Sequence, residues 1–537
     1  MKPEIQFSWP PVPMAGGIAL AFLAFVGQGL GAANDVTSYG KAGPTEAAAP
    51  PRHSYNEPYR PQFHFTYRRG WLSDPNGLVF YKGEYHLMTQ HCLGTDCNYP
   101  ATHWGHAVST DLIHWQELPP ALAPDKDGGM FSGSGIVDWN NASGLQSGKE
   151  KVLLLFYTGA RSMLPDNRPM VICLAYSNDK GRTWTKYAKN PVVEPIAQHN
   201  RDPKVFWHEP AKKWIMVLAL STEATDWEFA LLSSTNLKNW TQESRVQLDG
   251  ACDCPDMFEL PVDGDPKNTR WVFWAGRGYY QVGAFDGKTF KPEGPVRTAN
   301  QPAGDRIPSP YRPGHQALNM SQIWSDIPPS DGRTIQIAWM HNGLNPYPGM
   351  PFNQQASFPC VLTLRQFSDG IKLCRQPVRE VETLHATKHV RRNQTLEPGN
   401  NPLAGVPGEL FDLRAELAPG EAKEVGFDLR GIPVTYDVGA GTLTCVGLGK
   451  PVALGLTAGK IKLQILMDRT SIEIFGNDGE LSMAFCFLPD LAKRGIEVFA
   501  RGGRAEIASL EVYEMKSIWN HPPAVAVPGS DLPGLTK

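Results

Sequence analysis

At 537 residues, with 41% hydrophobic and 20% charged side chains, the chain has a globular composition and is long enough for two folded domains. A formal charge of -3 over that length excludes an electrostatic case for nucleic acid or an anionic membrane, so a small or neutral partner is expected. The 15 Trp, 52 Gly and 47 Pro favour short strands and tight turns over long helices, which points to an all-β protein.

The stretch from Ala15 to Val26 is apolar and uncharged, matches a signal-peptide core in length, and is followed by the small residues Gly31-Ala32-Ala33. Residues 1–33 therefore read as a signal peptide cleaved near Ala33, giving a secreted protein, extracellular or periplasmic. Glu4 offsets Lys2 in the short leader, which keeps a retained N-terminal anchor as the alternative; no other segment could cross a membrane, so no transmembrane partner is expected. Residues 34–61, rich in Pro, Ala and polar side chains, read as a disordered linker, with folding expected to begin near His64.

Beyond His64 one pattern recurs: an apolar strand, a turn of the type Ser-x-Asp/Asn, then an aromatic side chain. It occurs at Ser109-Thr110-Asp111 before Trp115, at Ser177-Asn178-Asp179 before Trp184, at Ser234-Thr235-Asn236 before Trp240, and more faintly at Phe285-Asp286-Gly287 before Phe290. The aromatics stand roughly fifty to seventy residues apart, room for one four-stranded antiparallel sheet each, which is the blade period of a β-propeller. Ordinary hairpin turns in a sandwich are the alternative. A five-bladed propeller is expected over residues 62–368. From about Gln376 the chain alternates with period two, as in Ile461-Lys462-Leu463-Gln464-Ile465, so a C-terminal β-sandwich is expected over 376–516, with a flexible tail at 517–537.

Nine cysteines leave at least one thiol without a partner in the chain, and Cys252-x-Cys254 does not build a zinc site, so no metal is expected. Cys92 and Cys97 could close a small disulfide loop or remain two buried thiols.

Three acidic motifs stand far apart: Trp71-Leu72-Ser73-Asp74-Pro75-Asn76-Gly77, Arg201-Asp202-Pro203, and Asp253-Cys254-Pro255-Asp256. Each acid lies beside a proline or turn residue, which places it near a strand end. In a propeller the first strands of successive blades line the central channel, so acids from three blades can meet there. Such a meeting suits glycosidic cleavage, where one carboxylate attacks the anomeric carbon and another protonates the leaving oxygen. Taken singly, each motif is also an ordinary turn signal.

From His64 to about Glu514 the chain resembles glycoside hydrolase family 32, the invertases, inulinases and levanases. The resemblance rests on the first acidic motif, Trp104-Gly105-His106-Ala107-Val108-Ser109, Phe131-Ser132-Gly133-Ser134, Phe156-Tyr157-Thr158-Gly159, Arg201-Asp202-Pro203-Lys204-Val205, Cys254-Pro255-Asp256-Met257-Phe258-Glu259-Leu260 and Asp468-Arg469-Thr470-Ser471-Ile472-Glu473-Ile474-Phe475. It implies a five-bladed propeller followed by a sandwich. It also implies a retaining hydrolase that releases fructose from a fructose-containing oligo- or polysaccharide such as sucrose, inulin or levan. By the same resemblance Asp74 is the nucleophile, Asp253 the general acid/base and Asp202 the transition-state stabiliser beside Arg201. Ser73, Gln90, Phe131 and Ser132 fall where the family meets the fructosyl unit. Trp104 either stacks on sugar or packs in a blade, and Tyr99 stands in for a missing aromatic platform. No cofactor is implied, since carboxylates and water suffice.

Several positions depart from the family pattern. Asp253 stands where Glu is usual, Ser73 replaces Asn, and Thr89 replaces an aromatic before Gln90; near Leu318-Asn319-Met320 the usual Tyr-Ala is absent. These changes leave two other readings open, a catalytically weakened fructan-binding homologue and a fructosyltransferase. Cys252 and Cys254 are expected to give Asp253 a fairly apolar surrounding.

Overall fold

Nearly all regular structure is β-strand in a computed structural model that describes residues 55–97, 99–222, 227–299, 318–341, 347–445 and 449–520. The signal-peptide reading, the first part of the linker and residues 521–537 of the tail lie outside the described residues.

Sixteen strands form four antiparallel sets in chain order. The first set is β1 (Gly70–Tyr81), β2 (Glu84–Cys92), β3 (His103–Ser109) and β4 (Gln116–Leu122). The second is β5 (Met130–Asp138), β6 (Val152–Gly159), β7 (Val171–Ser177) and β8 (Thr185–Lys186), and the third β9 (His199–His208), β10 (Lys213–Ser221), β11 (Glu228–Ser234) and β12 (Thr241–Val246). The fourth is β13 (Asp256–Val262), β14 (Asp265–Ala275), β15 (Tyr279–Phe285) and β16 (Phe290–Pro292), with β17 (Arg297–Thr298) added beside β15. Then come β18 (Leu318–Ile323), β19 (Thr334–Met340), β20 (Phe352–Asn353), β21 (Gln355–Ala356), β22 (Cys360–Phe367) and β23 (Gly370–Pro377). Within this last group β19 pairs with β18 and β22, and β22 joins β13 through one parallel contact, Val262 to Leu364. β20 pairs with β1 at Gly70 and Trp71, tying the end of this region to its beginning.

The repeated sequence pattern is the turn between the third and fourth strand of each set. Asp111, Asn236 and Asp286 each accept two backbone N–H groups two and three residues on, and Asp179 accepts those of Arg182 and Thr183. The residue after each (Leu112, Lys180, Leu237 and Gly287) has positive φ. This local chemistry closes each set and delivers the following aromatic to the core.

First strands lie side by side around a common centre. β5 packs between β1 and β9, and β1 packs on β18. Asp256 of β13 closes the circle, taking an ion pair from Lys204 of β9 at 3.2 Å and the N–H of Ile323 of β18 at 2.8 Å. The region is propeller-like, with every first strand bringing one end to the same mouth.

Two further sheets, of six and five strands, face each other over residues 385–515 around a core that includes Leu413, Phe427, Ile465, Ile474 and Val498. This is the C-terminal β-sandwich. His64 joins it to the propeller: fully buried, its ring nitrogens meet Asp468 Oδ2 at 2.8 Å and Glu473 Oε1 at 3.0 Å. Arg375 reaches Glu473 from a third direction at 3.2 Å.

Three expected boundaries shift. Residues 55–61 are packed rather than loose: Arg60 is buried, donates to Thr66 Oγ1 and the Tyr67 carbonyl, and lies over the Phe352 ring, while Tyr55 stacks on Trp519 at 4.3 Å. The start of the expected tail is packed with them, because Trp519 Nε1 donates to the Pro61 carbonyl at 2.7 Å and Ile518 N to the Gln62 carbonyl at 2.8 Å. The propeller-like region also runs past 368, since β23 pairs with β22 along its whole length.

Candidate active site

Asp74 lies within β1, inside a bulge between Leu72 and Pro75 that is followed by a second register shift between Asn76 and Val79. The Asp-Pro-Asn-Gly sequence is thus a bulged strand rather than a turn or strand end, and a bulge re-aims side chains. Gly77 is required there: its φ is +57°, and a Cβ would sit 2.4 Å from Met88 Sδ. Asn76 locks the backbone, donating to the Asp74 carbonyl at 2.8 Å and accepting Gly133 N at 3.0 Å.

Asp202 comes from β9 and Asp253 from the loop just before β13, so the three acids converge from the first set, the third set and the entry to the fourth. A cavity of about 220 Å³ is lined by all three, together with Ser73, Gln90, Tyr99, Phe131 and Arg201. A larger cavity of about 690 Å³, lined by Trp227, Arg245, Asp249 and Arg277, carries none of the three acids.

A chain of hydrogen bonds ends on Asp74. Ser73 Oγ donates to Gln90 Oε1 at 3.3 Å, Gln90 Nε2 to Ser132 Oγ at 2.8 Å, and Ser132 Oγ to Asp74 Oδ2 at 2.6 Å. Burial pushes the Asp74 carboxyl up to about 6; the Ser132 hydroxyl opposes the rise and the Asp253 charge adds to it. Asp202 is also raised by burial, against the pull of the Arg201 charge. Its carboxylate accepts Cys254 N at 3.1 Å, and the Cys254 thiol lies 3.5 Å from Asp202 Oδ2 and 3.6 Å from Asp74 Oδ2.

Asp202, Cys254 and Met320 hold φ values of 61°, 51° and 47°. Left-handed backbone in non-glycine residues costs of order 1–3 kcal/mol each and gathers at functional sites. At Asp202 it is held by the N–H bond to Thr158 Oγ1 at 2.9 Å.

Arg201 stands between two acids. It is hydrogen-bonded to Asp253 Oδ2, its Nε lies 3.6 Å from Asp202 Oδ2, and its guanidinium rests over the Trp227 ring at 4.6 Å. Burial works against its charge, but Asp253 and Asp202 outweigh that and raise its pKa. Asp253 therefore meets a guanidinium on one oxygen, not the apolar surround expected from its cysteine neighbours. Its Oδ1 is buried with no hydrogen-bond partner among the described residues. Asp202, Asp253 and Cys254 bring ligand atoms within 4.8 Å of one another, but Arg201 already supplies the cation in that space, so the donor set fits a metal poorly.

Of the expected binding residues, Trp104 does not reach the cavity. It is fully buried, donates through Nε1 to the Phe131 carbonyl at 3.1 Å and packs edge-on to Tyr157, because its strand faces the neighbouring set there. Tyr99 is 43% exposed at the rim, edge-on to Trp71 at 6.2 Å and to Phe131 at 5.9 Å. Trp71, Met163, Met320 and Trp339 also line the cavity and were not singled out from sequence. Trp71 stood inside the first acidic motif and could have been; Trp339 has only an apolar strand around it. Among the described residues, which include all nine cysteines, no disulfide is formed, so Cys92 and Cys97 remain two thiols.

Residues 64–377 match the glycosyl hydrolases family 32 N-terminal domain, and residues 380–514 match the family 32 C-terminal domain. The chain belongs to glycosyl hydrolase family 32. It is accordingly a glycosidase. Among relatives in the family, a levanase of Bacillus subtilis (strain 168) is 40% identical over 511 residues, covering 87% of this chain and 72% of the levanase. A levanase of Bacillus sp. (strain L7) is 35% identical, and the chain spans about half, 53%, of its length. An extracellular exo-inulinase of Aspergillus ficuum is 30% identical over 87% of this chain and 96% of its own. Among solved family 32 structures, the exo-inulinase of Aspergillus awamori superposes with a TM-score of 0.74 at 27% identity, covering 87% of this chain and all of the other. The β-fructofuranosidase of Schwanniomyces occidentalis bound to fructosyl-erythritol superposes with a TM-score of 0.74 at 25% identity, covering 86% and 98%.

Proposed function

We propose that the chain is a retaining β-fructofuranosidase that releases fructose from sucrose, inulin or levan, with Asp74 as nucleophile. One observation carries the reading: carboxylates from the first and third strand sets and from the entry to the fourth meet in a single cavity, one of them hydrogen-bonded to Ser132. In the first step Asp74 attacks the anomeric carbon while Asp253 passes a proton to the leaving oxygen. In the second, Asp253 takes a proton from water, and the hydroxide breaks the Asp74 ester to free fructose. Asp253 Oδ1 is the oxygen suited to carry that proton, because Arg201 holds Oδ2. Asp202 would accept sugar hydroxyls whose hydrogen bonds strengthen as positive charge develops on the ring.

One observation favours the second reading, a catalytically weakened homologue. The shorter arm of Asp253 is drawn onto Arg201, and a displacement of about 1 Å can cost on the order of a hundredfold in rate. Fructose release from sucrose, inulin and levan, measured beside Asp74→Ala and Asp253→Glu, separates the two. Turnover lost in Asp74→Ala supports the hydrolase; a silent native chain that gains activity in Asp253→Glu supports the weakened homologue. Fructosyl transfer would appear as longer oligosaccharides at high sucrose. Among the described residues no helix is long and apolar enough to cross a membrane. Export is part of the proposal, supported by the leader reading and by the extracellular exo-inulinase among the relatives.

A further inference from the structure

A second cavity, of about 500 Å³, is built from strands that also reach the candidate active site. β5 contributes Phe131 to the active-site cavity and Ile136 to the second; β9 contributes Arg201 and Asp202 to one, and Phe206, Trp207 and His208 to the other. β18 does the same with Met320 and Ile323. Phe131 to Trp139 is eight steps of extended chain, about 25 Å at the rise of a β-strand. The two cavities therefore open at opposite ends of the ring of first strands.

Among the described residues the two most exposed tryptophans are Trp139 and Trp207, at 47% and 39%, and both line this second cavity. Their polar edges are already committed. Trp139 Nε1 donates to Asp326 Oδ1 at 2.8 Å and Trp207 Nε1 to Glu209 Oε2 at 2.6 Å, while Trp214 braces Trp207 edge-on at 5.2 Å. What these indoles offer a ligand is their carbon faces. Most nearby charges are already engaged: Lys204 pairs with buried Asp256, Glu209 pairs with Lys212 at the surface, the second oxygen of Asp326 takes Val137 N at 2.8 Å, and Glu259 accepts the Thr269 hydroxyl. A concave site with rigid, exposed rings and carboxylates already hydrogen-bonded within the protein suits a neutral ligand with flat C–H faces and hydroxyls at its edge, which describes a sugar chain better than a peptide or a charged polymer.

We propose that this cavity is a second carbohydrate site that binds a fructan chain and tethers polymeric substrate at the end of the propeller-like region opposite the catalytic pocket. The inference rests on the fructosidase reading for its ligand class but uses none of the catalytic residues. A single sucrose molecule cannot span the two cavities, so the site should affect polymer and leave small substrates alone.

The test has two arms. Retention of Asp74→Ala by levan and inulin in affinity electrophoresis is compared with that of the same protein carrying Trp139→Ala and Trp207→Ala. Kinetics on sucrose and levan are then compared for the native chain, the Trp139→Ala/Trp207→Ala double variant, and Trp207→Ala alone, which leaves the Asp326 contact intact should the double variant fold poorly. The expected result is retention weakened several-fold, KM for levan raised several-fold, and kcat/KM for sucrose unchanged. Unchanged retention and unchanged levan kinetics, with sucrose turnover intact, would overturn the proposal. So would loss of self-association in sedimentation without any change in polymer binding, which would give this face to a second copy of the chain. No fructose release from any substrate defeats the fructosidase reading instead, and the electrophoresis arm still decides the second site.

Discussion

Removing the Ser132 hydroxyl should move the acid limb of the pH profile. Asp74 sits at about 6 because burial raises it while the 2.6 Å bond from Ser132 holds it down. A hydrogen bond to a charged group is worth about 1.5–3 kcal/mol, and one pH unit corresponds to about 1.4 kcal/mol, so Ser132→Ala should raise the Asp74 carboxyl by roughly one to two units. Water entering the space left by the hydroxyl restores part of that, which puts the expected rise near one unit. The nucleophile works as a carboxylate, so activity is lost as pH falls through its pKa. With a rise of about one unit, Ser132→Ala should retain roughly a fifth of native kcat/KM near pH 6 and nearly all of the ionisation-dependent part near pH 8. The assay is fructose release from sucrose, read as kcat/KM from about pH 5 to about pH 9. A uniform loss across the range, with the acid limb in place, would refute the reasoning and show that Ser132 acts only by holding sugar.

Asp74→Asn should abolish turnover yet raise Tm at neutral pH. A carboxyl whose folded pKa is raised destabilises the fold above that pKa, and the penalty fades as pH drops below it, so the gain over native should vanish near pH 4 by calorimetry. His64 is raised to about 9: burial lowers it, but the hydrogen bonds its ring donates to Asp468 and Glu473 outweigh burial. The stability it contributes is full below its unfolded value of about 6.5 and is lost as pH rises through about 9, so the Tm deficit of His64→Gln should shrink over that interval. Trp104→Ala should cost about 3–5 kcal/mol in denaturant unfolding, as core tryptophans do, whereas Tyr99→Ala should leave stability intact and raise KM for sucrose. A Trp104→Ala variant with native stability and raised KM would place that indole in the sugar site after all.

The four turns were legible because each is built within a few residues: an Asp or Asn accepting the N–H groups that follow it, then a left-handed residue. The acids were legible as motifs, and their meeting was expected only through the propeller reading, since Asp74, Asp202 and Asp253 stand far apart in sequence and their motifs taken singly are ordinary turn signals. Trp104 shows the limit. Its motif looked like the sugar-binding ones, and only the side of the sheet it occupies sends it into the core. The Asp468-to-Phe475 motif marked the family without disclosing its physical task, which is to hold His64 of the propeller-like region through Asp468 and Glu473.

The sequence by itself determined the strand-rich class, the repeated turns, the family and the candidate acids, because local hydrogen bonding and residue type carry that information along the chain. The tertiary structure alone decided that Arg201 clamps Asp253, that Ser132 steadies Asp74, that residues 55–61 pack against Trp519, and that two exposed indoles share a second cavity. Each of these depends on side chains dozens to hundreds of residues apart meeting in a low-dielectric space, where burial and pairing set which charges and which ring faces remain free to act.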